Sequence, residues 1–265
     1  MEWMRSYAGQ PIDAPAREGA PAGLRGGFAD PYSAGTHCRL LGIPQQDAPR
    51  LMRSPDIACM TERPDAPATT GLMAAPAALR TDPDYAHLTD EMLATVGVTM
   101  FGAGVVSTAG FLTMALLALI QHPGLQAELV AHPGRIPAAV EEPLRINPGG
   151  RGPRGRGGGG GRPGAGRGHE LEPAAFPDPH TVDLDRANSA AHLSSGGGRH
   201  YCPATALGRR HAGIALTVLL ERMPRLARAM PVGRLVCRTG FMERIPERIP
   251  VMWQPRVEGL GERSS

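Results

Sequence analysis

Cys202 closes the stretch Ser195-Gly196-Gly197-Gly198-Arg199-His200-Tyr201-Cys202, and a helical pattern begins just after it. That setting suits chemistry in two ways. Glycines let the main chain approach a flat ligand closely. The free N–H groups of a helix start favour a thiolate, and Arg199 and His200 add positive charge nearby. A lone cysteine ahead of a helix is also commonly just a small buried residue. The rest of the chain has to decide between the two readings.

Three other segments carry residue types with a possible task. Glu142-Pro143-Leu144-Arg145 sets an acid three residues before a base, a pair that on most helices is merely solvated. Pro143 fits only the first turn of a helix without distorting it. Ala103-Gly104-Val105-Val106-Ser107-Thr108 puts small residues and two hydroxyls inside a long apolar run, where a close-packed face is the plain reading. Phe176-Pro177-Asp178-Pro179, followed by Asp183-Leu184-Asp185-Arg186, is an extended, turn-rich passage.

Taken in order, these four segments resemble the motifs of cytochromes P450. Gly196-x-Gly198-x-His200-x-Cys202, with Leu207 and Arg209 downstream, is similar to the family's haem-binding signature. The departures are Ser195 for the family's leading Phe, Ala204 for the Gly two after the Cys, and Gly208 for the Ala before the Arg. The lost Phe normally shields the sulfur. Glu142 and Arg145 match the ExxR motif, a structural pair behind the haem. The passage from Phe176 looks like the family's meander, with Thr181 in place of the Arg that joins the ExxR pair. Residues 103–108 resemble the AGxxT oxygen groove, where a break in helix hydrogen bonding makes room for O2. The usual acid and Thr are here Val106 and Ser107.

The resemblance implies a mainly α fold with minor β, amounting to the C-terminal two-thirds of a cytochrome P450-type fold and therefore incomplete. It implies haem b with Cys202 as the axial iron ligand, O2 as co-substrate, and electrons from NAD(P)H through ferredoxin reductase and ferredoxin. Gly196 and Gly198 would shape the cofactor loop, and His200 and Arg154 would contact propionates. Ala103, Gly104, Ser107 and Thr108 would line the oxygen site. Arg199, Arg209 and Arg210 would form a basic docking face for the ferredoxin. The implied activity is a cytoplasmic, monomeric monooxygenase acting on a small organic molecule, of the kind found in secondary metabolism.

The elements that must position these residues are uneven along the chain. Residues 1–88 are rich in Pro, Ala and Asp and read as loops and short helices, a remnant of a substrate-covering region. Residues 89–148 read as helices of about 89–121, 124–132 and 136–145. Thr89 caps the first, with Asp90 and Glu91 in its first turn. Residues 149–170 hold a Gly/Arg tract: twelve of the twenty residues 149–168 are Gly and five are Arg, so no packed element forms there. Residues 171–265 carry the meander, the Cys loop, and a helix with Leu207, Ile214, Val218 and Met223 at helical spacing. Two short strands follow, at Leu235–Thr239 and Ile249–Trp253.

Composition narrows the alternatives. The chain has 265 residues, 42% apolar and 20% charged, enough for a core. Aromatics at 4% argue against base-stacking platforms, and a net charge of +3 is too small to imply nucleic acid. Four separated cysteines form neither a disulfide framework nor a zinc ribbon. The segment from Leu93 to His122 lacks charge and is long enough to span a bilayer, but its glycines and hydroxyls and the absence of flanking Arg clusters favour a helix through a protein core. Two rival readings stay open. One is a gene remnant unable to hold haem, with the Gly/Arg tract a stretch of GC-rich DNA read out of frame. The other is an Arg-Gly RNA-binding protein.

Overall fold

The computed structural model describes residues 2–18, 22–53, 72, 78, 81–146, 172–223, 225–236 and 245–253. The Gly/Arg tract, Arg154, Cys59 and Cys237 lie outside the described residues. Helices α1 (Glu2–Glu18), α2 (Asp30–Leu41), α3 (Ala48–Arg53), α4 (Asp90–Gln121), α5 (Pro123–Ala131), α6 (Ile136–Ile146) and α7 (Thr205–Arg222) account for most of the described backbone. Strands β1 (Ala22–Gly23), β2 (Leu226–Arg228) and β3 (Pro250–Trp253) form one small antiparallel sheet in the order β1-β3-β2. Mainly α with a minor sheet is what the motifs implied.

The chain divides into two units. One comprises Met1–Gly27 and Gly110–Ser265, the other Phe28–Ala109.

In the first unit α1 packs along α7. Met4, Ala8 and Ile12 recur every four residues and are fully buried, which places them on one helical face. The contact is close: a side chain at Gly9 would meet Arg222 Nη2 at 3.1 Å. Arg222 pairs with Asp13, and Arg5 with Glu221. The expectation of loops and short helices before Thr89 therefore fails here. Tertiary packing forms a 17-residue helix despite Gly9 and Pro11. Buried Gln126 ties α5 to the sheet, donating to Leu226 O at 2.8 Å and accepting from Leu226 N–H at 2.9 Å.

The three predicted helices of the middle segment form at nearly the expected bounds. Thr89 caps α4, its Oγ1 accepting from Met92 N–H at 3.2 Å. Among the described residues α4 is the one helix long and apolar enough to cross a membrane. Its second half supplies buried Leu112, Leu116, Leu119 and Ile120 to the protein core. On its first half Met92, Val96 and Met100 are exposed. Helix α6 continues through Pro143, which has no N–H to give back to the preceding turn. In α7 the buried face is Ala212, Ala215, Leu216 and Leu219, with Leu207 and Ile214 only half-buried. Near the C-terminus β3 falls where expected. A further strand runs Leu226–Arg228; of the expected strand at 235–239, Leu235 follows a single 3-10 turn, Val232–Arg234, and residues 237–239 lie outside the described residues.

The second unit is built on α2, α3 and the first half of α4. Ala34, Cys38, Leu41, Ala48, Leu51, Phe101 and Val105 form its core.

Candidate functional site

The Cys202 loop is held by its own backbone. Cys202 N–H donates to Ser195 O at 2.9 Å, Gly196 N–H to Leu193 O at 2.8 Å, and Tyr201 N–H to Gly198 O at 3.1 Å. Gly196 and Gly198 adopt φ of 76° and 61°, the left-handed region that favours glycine. Ala204, standing where the family has Gly, has φ −89° and is the N-cap of α7, so any residue fits there. Cys202 O accepts from Thr205 N–H at 3.2 Å and Thr205 Oγ1 at 2.7 Å, fastening the loop to the helix start. The Cys202 thiol is free and exposed, and His200 and Arg199 beside it are exposed as well. Cys38 is also free but buried; burial, then the charge of Asp47, pushes its thiol up to about 12.

Behind this loop, Glu142 and Arg145 are both 0% exposed and form a bidentate pair, with two contacts of 2.9 Å. Buried charges persist only if every donor and acceptor is met. Arg145 Nη1 donates to Pro179 O at 2.6 Å and Nη2 to Thr181 O at 3.0 Å. Its guanidinium also lies 5.3 Å from the centre of the Phe176 ring. Glu142 further accepts from Asp183 N–H at 2.9 Å and from Arg186 Nε at 3.1 Å. The pair is thus not a solvated one.

This geometry corrects one expectation. Thr181 does not stand in for the third member of the network; it offers only its carbonyl. Arg186 fills that role, and its other nitrogens donate to Pro177 O at 2.6 Å and Thr181 O at 3.2 Å. Asp178, at φ 47°, makes the bend that turns these carbonyls inward. The signal was in the sequence, since Arg186 is the first Arg after Phe176-Pro177-Asp178-Pro179.

A second cluster joins α6 to α7. Glu141 accepts from Arg209 Nε at 2.5 Å and Nη2 at 2.9 Å, and from His192 Nε2 at 3.0 Å. His192 Nδ1 accepts from Ser194 N–H at 3.3 Å, so Nε2 carries the proton given to Glu141. Burial alone would raise the Glu141 carboxyl; the hydrogen bonds and charges of His192 and Arg209 overcome it and hold the group at about 2. Arg209 is therefore committed within the fold. The expected docking face reduces to the exposed Arg199 and Arg210. Sequence reasoning did not find Glu141 or His192, which lie 51 residues apart.

In the second unit, the turn Ala103–Thr108 belongs to a helix that stays α-helical from Asp90 to Gln121. Ser107 is exposed, and its Oγ donates back to Ala103 O at 2.6 Å, a bond that bends helices. Ala103 is exposed, Gly104 and Val106 half-buried, and Thr108 buried at 8% exposure. Cys202 and Ser107 belong to different units.

No protein-family model matches the chain. Curated relatives do. The chain is 44% identical over 286 residues to mycocyclosin synthase of Mycobacterium tuberculosis, covering 95% of this chain and 72% of that protein. It is 31% identical to nocardicin C N-oxygenase of Nocardia uniformis, over 91% of this chain and 69% of that one. Among solved structures, the LnmA cytochrome P450 hydroxylase of the leinamycin pathway in Streptomyces atroolivaceus is 30% identical, with a TM-score of 0.79, covering 95% of this chain and 74% of that one. Order of motifs, fold and relatives agree: the chain belongs to the cytochrome P450 family.

Proposed function

We propose that the chain is a haem-thiolate monooxygenase in which Cys202 binds the iron and one oxygen atom from O2 enters a small secondary-metabolite substrate. The exposed, free thiol of Cys202, on a loop bent by two left-handed glycines at a helix start, carries this reading. The donor set fits: of the described cysteines Cys202 is exposed, and Cys38 is buried with its thiol pushed up. When bound, haem b supplies one-electron and O2 chemistry, with electrons from NAD(P)H through redox partners.

The chain's own residues do the rest. Cys202 presents its exposed thiol just ahead of the α7 start, on the loop fastened by Thr205. His200, and Arg154 outside the described residues, would hold propionates. Glu142, Arg145 and Arg186 keep the meander rigid behind the loop. Ala103 and Gly104 leave room beside α4, and Ser107 offers a hydroxyl that can hold a water or donate to oxygen. Val106 has no proton to move. Arg199 and Arg210 present positive charge to an acidic ferredoxin. The identity to mycocyclosin synthase makes that protein's product class the first to assay.

The test is an absorption spectrum of the reduced, CO-treated protein. A thiolate-type Soret band is expected, lost in Cys202→Ala and kept in Cys38→Ala. A Cys202→Ala protein that keeps the band would sink the assignment. A chain with no haem at all would favour the remnant reading, which the exposed apolar stripe Met92, Val96 and Met100 supports.

A further inference from the structure

Two side chains of α2 reach the Ala103–Thr108 turn of α4, and neither is explained by packing an apolar core. Ser33 is fully buried and its Oγ donates to Val105 O at 2.9 Å. His37, one helical turn on, is 9% exposed. Its Nδ1 lies 2.8 Å from Ser33 O; a carbonyl can only accept, so Nδ1 carries a hydrogen and the ring orientation is set. The opposite edge of the ring then lies against Gly104. A side chain built there would stand 2.4 Å from both His37 Cδ2 and Nε2, far inside contact distance. Gly104 is in ordinary helical backbone, where glycine is unfavourable by roughly 1 kcal/mol against alanine. Its φ does not require glycine. The imidazole does.

The spacing also matters. Ser33 and His37 are i and i+4 on α2, so they share one face. They meet two successive residues of α4, Gly104 and Val105, in the same turn as Ser107. On the same turn Ser107 donates to Ala103 O. One turn of α4 thus has a side-chain donor on the carbonyls of both Ala103 and Val105, with an imidazole wedged between them at Gly104.

We infer that His37, together with Ser33, is a positioning residue for the oxygen-site turn of α4: the imidazole makes glycine obligatory at 104 and sets how the Ser107 hydroxyl is presented. This rests on the reading of residues 103–108 as the oxygen site.

The experiment is a double-mutant cycle on the full chain with two readouts. His37→Asn keeps an N–H for Ser33 O and removes the ring edge over Gly104. Gly104→Ala alone should lower the melting temperature by several degrees. In the His37→Asn background the same change should be neutral or stabilising. Equal loss in both backgrounds would overturn the packing argument. The second readout is the infrared C–O stretch of the reduced, CO-treated protein, with Ser107→Ala as reference. His37→Asn should shift or split this band, and His37→Gln, which restores a long polar side chain, should return it part of the way. A shift in Ser107→Ala with none in His37→Asn would overturn the positioning role and leave the proposed function standing. A band unmoved by both variants would remove residues 103–108 from the oxygen site. Absence of any CO band would defeat the haem assignment and this inference together, with the melting cycle still reporting on the His37–Gly104 contact.

Discussion

Around Glu142 four donors converge on one buried carboxylate, from Arg145, Arg186 and the Asp183 backbone. Around Gly104 a single neutral ring meets bare backbone. The first region is fixed by charge and direction. Each guanidinium is satisfied by several carbonyls, so few alternative arrangements exist. The second is fixed by shape: a missing side chain, a wedge and two hydroxyl bonds, from Ser33 and Ser107. The difference teaches what each can tolerate. A charge network fails steeply when one member is removed, because its partners stay buried and unpaired. A steric contact fails when something is added, and a second vacancy can repair it.

The largest effect should come from breaking the charge network at its centre. Glu142→Gln leaves Arg145 and Arg186 without a buried counter-charge, which costs about 3–5 kcal/mol. Folded domains have only about 5–15 kcal/mol to lose, so urea unfolding should show a midpoint far below that of the parent chain. A midpoint near the parent's would mean that the network is relaxed or wet in solution.

Arg186 sharpens the same comparison. It bonds the Glu142 carboxylate, while Thr181 contributes only its main chain. Arg186→Leu should therefore cost roughly 1.5–3 kcal/mol, the range for hydrogen bonds to charged groups. Thr181→Ala should stay within about 0.5 kcal/mol. The reverse order of these two midpoints would restore Thr181 to the place the motif alignment gave it.

This pair of variants marks where sequence reading worked and where it stopped. The glycine loop ahead of Cys202 and the Glu142–Arg145 pair were legible because each is a local pattern whose spacing is set by one glycine loop or one turn of helix. The α4 start was legible for the same reason, through Thr89 and the acids after it. Arg186 was not placed, although it is the first Arg after Phe176-Pro177-Asp178-Pro179, because its partner is 44 residues away. Helix α1 was missed because Gly9 and Pro11 argue against a helix locally, and only the surface of α7 outweighs them. His37 was invisible: it follows an ordinary helix pattern, and its meaning arises solely from Gly104 being opposite.

An acid window offers a milder test, at the cluster joining α6 to α7. The Glu141 carboxyl sits at about 2 against an ordinary value of 4.5. A depressed carboxyl stabilises the fold above its unfolded value and loses that contribution as pH falls through the folded one. Stability should thus decline between about pH 4.5 and 2. Glu141→Gln should flatten that part of the profile while lowering stability at neutral pH. A parent-like acid limb in Glu141→Gln would show that other carboxylates carry it.

The smallest change concerns the neutral region. Val106 is half-buried one residue before Ser107, and in the family an acid usually stands there. A valine can neither give nor hold a proton, so on the proposed oxygen-site reading protons must arrive through water, a substrate hydroxyl or Thr108. Slow delivery lets reduced oxygen escape as hydrogen peroxide instead of reaching product. Val106→Asp should raise the ratio of product to peroxide, at little cost in stability, because the side chain is partly exposed and can keep its charge solvated. Asp is also closer than Glu to Val in length, so it perturbs the Ser107 turn less. Because Ser107 Oγ already donates to Ala103 O, the new carboxylate must draw that hydroxyl away or work through a water, and the gain is expected to be modest. Measuring the ratio in Val106→Asp, Val106→Asn and the parent separates the two routes. A gain in Asp alone identifies proton transfer. Equal gains in both identify a repositioned hydroxyl, and no gain shows that protons reach the site without position 106.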